Sequence, residues 1–395
     1  MKVLWVTTKP PWPPVDGGRL VSALTIEALH AAGHDVALVA PIGPGERDRG
    51  AVEAHLSAWC RPFLVAARPS SLPWAGLRSA LSAVPVTILR HTLPAVRDRA
   101  SHLAAEEAFD LVHAEQVQAL AQCEGTRLPV VLRAQNVESD LWEGAARGSG
   151  LLRPWLLHEA SRLAAWEGAA VRGAAATVTL TTRDADRLAR LSGDARRVHT
   201  VPAPFPARLP PGDGLAGAPA VVVFGSADWR PNREGAAWFR ESVWPSVKAA
   251  CPGAVLYLFG GAPGDGGGVI VKPAPSDSRQ AFPPASILAV PLRIASGVRM
   301  KILEAWARGV PVVATPEGAA GLAAAHGREL LLASTAPEFA SAMRRLHEEP
   351  GLAEALVAGG RKLLEAAHAP AAVAAQLLGV YSTVLSAGSR KKSSF

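Results

Sequence analysis

Residues 202–219 read Pro-Ala-Pro-Phe-Pro-Ala-Arg-Leu-Pro-Pro-Gly-Asp-Gly-Leu-Ala-Gly-Ala-Pro, six prolines and three glycines in eighteen positions. That density of missing N–H donors and fixed φ angles supports neither a helix nor a strand. The chain must therefore fold on either side of this stretch. Both sides use one grammar, short apolar runs alternating with amphipathic helical stretches, which is the pattern of parallel βα units. Before the break the runs are Val3–Thr8, Asp35–Ala40, Asp110–His113, Pro129–Ala134, Ala176–Leu180 and Arg197–Val201. After it they are Val221–Phe224, Ala254–Phe259, Val269–Val271, Ser286–Val290 and Val310–Ala314. The expected architecture is α/β, two Rossmann-like domains at 1–203 and 220–368 joined by a linker at 204–219. A C-terminal helix at 369–388 and an unstructured tail at 389–395 follow.

Composition narrows the function classes. With 49% apolar and 19% charged residues, the 395-residue chain has the balance of a soluble globular protein with a sizeable core. No run reaches eighteen uncharged apolar residues, so no transmembrane helix is expected. Met1–Thr8 reads as a first strand and not as a signal peptide. Cys60, Cys123 and Cys251 are scattered, which fits reduced thiols in a cytoplasm better than a disulfide frame or a zinc site. A net charge of +7 favours anionic partners without choosing among them.

Several residues stand out as candidates for chemistry. Gly17 and Gly18 follow the first strand and start a helix, where backbone can approach a ligand closely or simply turn. They are not the Gly-x-Gly-x-x-Gly of dinucleotide binders. His113, Gln135 and the acids Glu115 and Glu138 lie at strand ends, where α/β sheets place ligands. Residues 42–109 read as helical patches broken by prolines. Between Arg61 and Arg99 six arginines face one acid, Asp98, while Trp74, Leu77 and Leu81 recur at helical spacing. That segment is either a solvated basic face or a surface for an anionic membrane. The stretch Leu151–Arg172 reads as a long helix whose Trp155 and Trp166 pack in a core.

The richest stretch is Pro291–Gly309. It reads as a helix opened by Ser296 and Gly297 and closed by Gly309, between two buried strands. Leu303, Trp306, Ala307 and Val310 form its packed face. Arg299 and Lys301 fall in the first turn, where cations oppose the helix dipole. Cations placed there suggest an incoming anion such as a phosphate, with Glu304 one turn on able to accept from a ribose diol. A surface ion pair along the helix explains the same spacing.

This stretch resembles the nucleotide-sugar motif of retaining GT-B glycosyltransferases of the family-4 type, a Gly-x-x-x-Lys-x-x-Glu-Ala run carried here by Gly297, Lys301, Glu304 and Ala305. The string Gly225-Ser-Ala-Asp-Trp-Arg-Pro-Asn232 is similar to a bacterial subgroup of that family. The resemblance extends over nearly the whole chain. It implies a GT-B fold with two domains facing across a cleft, and a UDP- or GDP-type nucleotide sugar as donor. It places the donor against Gly17, Gly18, Gly225, Asp228, Arg230, Ser276, Ser296, Gly297 and Glu304. Arg299, Lys301, Gln135 and His113 are the implied catalytic groups. Ser296 stands where many relatives have a second Glu, and Gln135 where they have His. No Asp-x-Asp motif is present, so neither metal nor cofactor is expected, and leaving-group charge falls to Arg299, Lys301 and helix N-termini. The implied reaction is sugar transfer with retention to a hydroxyl on a glycan, lipid-linked or natural-product acceptor. The expected setting is cytoplasmic, with an anionic membrane surface as a candidate partner and no nucleic acid. Two other readings remain: a hydrolysing UDP-sugar epimerase using Glu115, Glu138 or Glu317, and a degenerate, non-catalytic partner protein.

Overall fold

The structure is a computed structural model and describes residues 1–43, 48–225, 229–260, 266–275, 277–294 and 296–392, with backbone alone for 389–392. The chain divides into two compact units, one of Met1–Pro204 with the helix Pro370–Lys392, the other of Phe205–Ala369.

The first unit is built on Lys2–Val6 (β1), Asp35–Ile42 (β2), Arg61–Ala66 (β3), Leu111–Glu115 (β4), Val130–Ala134 (β5), Ala176–Thr179 (β6) and Val198–Thr200 (β7). They form one parallel sheet in the order β3-β2-β1-β4-β5-β6-β7. Helices cover both faces, which is why the inner strands read as unbroken apolar runs. Val3, Trp5, Leu38, Ile26 and Leu29 fill one side together with Leu377 and Tyr381 of the C-terminal helix. Leu4, Val6, Val96, Leu103 and Val112 fill the other. β3 is a correction to the helical reading of residues 42–109. Pro62 is tolerated within it because β3 is an edge strand with one unpaired side.

In the second unit Ala220–Phe224 (β8), Val255–Phe259 (β9), Val269–Lys272 (β10), Ser286–Val290 (β11), Val312–Ala314 (β12) and Leu331–Leu332 (β13) form a parallel sheet ordered β10-β9-β8-β11-β12-β13. Both sheets thus share the doubly wound order, whose direction reverses between the first and fourth strands. Phe239, Trp244, Met343 and Leu356 pack on Val221, Leu256 and Ile287. Trp306 is fully buried and donates to the Glu329 carbonyl at 2.9 Å. A Cβ on Gly360 would come within 2.3 Å of its indole, so only glycine fits there.

The Pro/Gly-rich stretch is fastened to the second unit. Leu209 N donates to Ala307 O at 3.0 Å, Gly212 N to Phe282 O at 3.2 Å, and Arg308 Nη1 to Pro210 O at 2.5 Å. Lacking a ladder of its own, it satisfies its backbone on its neighbours. The stretch Leu352–Gly388 is long and apolar enough to span a bilayer by length and composition. It breaks at Ala369, and its second part buries Val373, Leu377 and Tyr381 in the first unit's core.

Candidate functional site

In the second unit the loop after β11 leads into a helix that spans Met300–Arg308, closed by Gly309 at φ 84°. Ser296 and Gly297 do not open it as the sequence suggested. They precede it, Ser296 buried and Gly297 at φ 71°, and Arg299 occupies the N-cap position. No acid lies in the first turn. Arg299 is buried with its guanidinium 5.2 Å from the Trp229 ring. Lys301 Nζ donates to the Phe224 carbonyl and, at 3.1 Å, to Asn232 Oδ1. Burial, and then the charge of Arg299, push the Lys301 pKa down to about 7. Gly225 makes this arrangement possible, since a Cβ there would lie 2.5 Å from the Asn232 amide.

These groups border a cavity of about 210 Å³ lined by Phe224, Gly225, Asn232, Arg233, Gly260, Leu292 and Lys301, among others. It sits at the carboxyl ends of β8, β9 and β11, the reversal point where doubly wound sheets bind ligands. Arg230 is not among the lining residues; its guanidinium pairs with Glu234 at 2.5 Å. Arg233, which the sequence offers beside Arg230, does line the cavity. Asp228 and Ser276, also expected at the donor, lie outside the described residues.

Glu304 is buried and does not pair with Lys301. Its Oε1 accepts from Ser278 Oγ at 2.6 Å and Arg308 Nε at 2.9 Å. The ion pair therefore runs i to i+4 toward the helix C-terminus, leaving Lys301 turned to β8. Gly318, further along, is explained by packing: its N donates to the Thr315 cap, and a Cβ on it would meet the Val290 carbonyl at 2.6 Å.

In the first unit, helix Gly17–Ala31 starts behind Asp16, whose Oδ1 accepts from Arg19 N at 2.9 Å. Gly17 is exposed at this helix start. Gly18 is explained by packing, because a Cβ on it would lie 2.5 Å from Gln135 Oε1. Gln135 is buried. Its Nε2 reaches Gly18 O at 3.0 Å, Ser22 Oγ at 3.3 Å and Glu115 Oε1 at 2.7 Å, while Oε1 accepts from Gln116 Nε2 at 3.1 Å. It stitches the helix start to β4 and β5, and a neutral imidazole, with one N–H donor against the amide's two, could not make all of these bonds.

His113 is placed in a core, not at a ligand. It is fully buried, stacked on Trp5 with ring centroids 3.8 Å apart, and bonded through Nδ1 to the Tyr381 hydroxyl at 2.7 Å. Burial lowers its pKa to about 4, so it is neutral at physiological pH. Glu115 beside it is clamped by Arg133 at 2.5–3.1 Å. Burial alone would raise the Glu115 pKa, but Arg133 and His113 outweigh it and hold the group at about 2. A carboxylate so firmly ionised is unsuited to the proton exchange an epimerase requires. Sequence reading missed Glu167 on helix Arg153–Gly173. Its carboxylate caps helix Glu138–Ala146, accepting from Glu138 N at 2.6 Å and from Ser139 Oγ at 2.5 Å. Burial, with some help from Glu138, pushes its pKa up to about 7. Among the described residues no three His, Cys, Asp or Glu side chains gather as a metal site.

Comparison with known proteins bears on the fold and the family. Residues 16–204 match the family model of the glycosyl transferase 4-like domain, and residues 218–349 that of glycosyl transferases group 1. Among solved structures, sucrose-phosphate synthase from Thermosynechococcus elongatus is similar over 98% of this chain and 100% of that one, at 17% identity and a TM-score of 0.72. HepE from Anabaena, solved in complex with UDP, is similar over 97% and 100% of the two chains, at 16% identity and a TM-score of 0.65. A variant of TarM from S. aureus, in complex with Fondaparinux, alpha-GlcNAc-glycerol and UDP, covers 96% and 100%, at 8% identity and a TM-score of 0.68. At these identities the likeness speaks for the fold. No curated protein matches the chain.

Proposed function

Because the chain is a glycosyltransferase of the GT-B fold, we propose that it is a retaining, metal-independent enzyme of the family-4 type. It moves a hexosyl group from a UDP- or GDP-sugar to an acceptor hydroxyl on a glycan, a lipid-linked molecule or a natural product. It works in the cytoplasm, with an anionic membrane surface as its partner. The observation that carries the reading is the pair Arg299 and Lys301 at an acid-free helix start, with Lys301 on the wall of the reversal-point cavity. A diphosphate brought there receives two cations and the positive end of the helix dipole.

In this reading the anomeric C–O bond breaks with its electrons passing to the phosphate. The acceptor oxygen bonds to the same face of the sugar, and its proton goes to the leaving phosphate oxygen. No protein base is required, so the seating of His113 and Gln135 in packed positions is compatible with turnover. Arg299 and Lys301 stabilise charge that grows on the diphosphate. A thermal-shift series with UDP, GDP, CDP and dTDP should pick out one nucleotide, since a ligand of the folded state raises its stability. The anomeric configuration of the product, read by NMR, then tests retention. Silence with all four nucleotides, or an inverted product, rejects the proposal.

Glu304→Gln tests the ribose contact. To take a ribose diol, the wild-type Glu304 carboxylate must leave Ser278 or share itself between that hydroxyl, Arg308 and the diol. Replacing a charge-assisted acceptor should weaken binding of the preferred nucleotide by about 1.5–3 kcal/mol. Unchanged affinity by calorimetry would assign Glu304 to holding Arg308 and the Pro210 carbonyl in place.

A further inference from the structure

Eight of the large apolar side chains that the first unit leaves exposed fall in two short segments. Leu72, Trp74, Leu77 and Leu81 lie on and just after helix Leu72–Ala80, and Leu151, Leu152, Trp155 and Leu157 at the start of helix Arg153–Gly173. Exposure is high, 83% at Leu81 and 100% at Leu151. Helix Leu72–Ala80 turns Ala75 and Ser79 inward and Trp74, Leu77, Arg78 and Leu81 outward, a stripe at i, i+3, i+4 and i+7.

The two segments are fastened together. Arg162 donates to Ser79 Oγ at 2.7 Å, to Ser82 O at 2.7 Å and to Val84 O at 2.9 Å, bracketing Leu81. Glu159 accepts from Val86 N at 2.9 Å. Trp155 lies two turns before Arg162 on the same helix, about 10 Å along its axis. Polar bonds, the one between Glu159 and Val86 buried, thus tie the two outward apolar edges together. Within the two segments themselves, charge has one sign. Residues 68–91 and 147–158 contain five arginines, at 68, 78, 90, 147 and 153, and no Asp or Glu; all five are exposed. The other arginines of the basic stretch are engaged elsewhere: Arg61 with Glu107 at 3.0 Å, Arg97 with Asp98 at 3.2 Å, and Arg99 over the Phe63 ring at 4.7 Å.

We propose that these two segments form one face that docks on an anionic bilayer, with Trp74, Leu77, Leu81, Leu151 and Trp155 entering the interface and the arginines meeting lipid headgroups. It rests on the reading of an anionic membrane as partner and gives that partner its surface. Leu and Trp tips rimmed by arginine match the acyl–headgroup boundary. A second copy of the chain fits poorly, because a two-fold contact would set arginines against arginines with no acid within the segments to relieve them.

The test is flotation of the whole chain with phosphatidylcholine vesicles, with and without phosphatidylglycerol. The wild type should float with the anionic vesicles alone, less so as salt rises. Trp74→Ser/Leu77→Ser/Leu81→Ser, and separately Leu151→Ser/Leu152→Ser, should each bind at least about tenfold more weakly at unchanged melting temperature. If the wild type floats and both variants float equally well, the membrane is a partner but this face is not its site. A wild type that floats with neither vesicle, or equally with both, removes the membrane reading as well. A concentration-dependent dimer that the triple variant abolishes would assign the face to a second copy and overturn the proposal.

Discussion

Lys301→Met should reduce kcat by at least about a hundredfold while leaving the free protein no less stable at neutral pH. Lys301 in the donor-free chain is buried enough to bring its pKa down to about 7 from 10.5, with Arg299 adding repulsion. Its folded pKa is depressed, so between about pH 7 and 10.5 the unfolded chain binds the proton more tightly. Wild-type stability should therefore rise with pH across that window. Below it the cost of the buried charge is present in full. Methionine keeps much of the volume and removes that cost, at the expense of two unanswered acceptors, Phe224 O and Asn232 Oδ1. Melting curves of the two proteins should thus converge, or favour the wild type, as the solution becomes alkaline. With a diphosphate bound the balance reverses, because the phosphate restores the charge that burial disfavours. Binding of the preferred nucleoside diphosphate at about pH 8 should draw in a proton, seen by calorimetry in two buffers, and the variant should not. The defect should appear more in kcat than in donor affinity, since leaving-group charge grows toward the transition state. Normal turnover, or a sharp fall in melting temperature at neutral pH, would make Lys301 a structural residue.

The sequence made the two sheets legible because fully buried parallel strands write themselves as apolar runs, and a proline-rich break separates the two sets. β3 was hidden because edge strands carry proline and arginine, the residues that elsewhere mark helix breaks and solvated faces. The cations at the start of helix Met300–Arg308 were legible in kind and less so in aim. Spacing places Lys301 and Glu304 one turn apart, which suggests a pair, but it cannot say that Phe224 and Asn232 offer Lys301 better acceptors. Asn232 was visible as the end of an unusual string, and its contact with a residue 69 positions on was not. His113 was the natural candidate for chemistry at a strand end. Its partner Tyr381 lies 268 residues away, on a helix that returns to the first unit, and no local pattern reports such a contact. Trp155 failed in the opposite direction. Helical spacing says which residues share a face, but not whether that face looks inward or outward.

Glu115→Gln should be the most damaging single change in the first unit, costing about 3–5 kcal/mol although it alters only one atom's identity. Arg133 is almost wholly buried, and its guanidinium is shared among Glu115, the Thr25 hydroxyl at 2.7 Å and the Trp5 ring at 5.0 Å. With Glu115 neutral, the Arg133 charge remains inside with no counter-charge, and arginine cannot shed its proton in response. The amide keeps the shape, so a loss cannot be blamed on a cavity. Removing both charges with Glu115→Leu/Arg133→Met should cost less than Glu115→Gln alone, which a double-mutant cycle would show as strong coupling. Acid gives an independent check. The folded Glu115 pKa is about 2 against 4.5, so its stabilisation is present above 4.5 and lost as pH falls toward 2. His113, neutral in the fold with a pKa of about 4 against 6.5, adds a loss that begins as pH falls through 6.5. Urea unfolding at about pH 7 should separate wild type from Glu115→Gln widely, and at about pH 3 the gap should narrow. A gap that stays constant across that range would mean that the carboxylate's charge contributes nothing and that Arg133 is held by its hydroxyl and ring contacts alone.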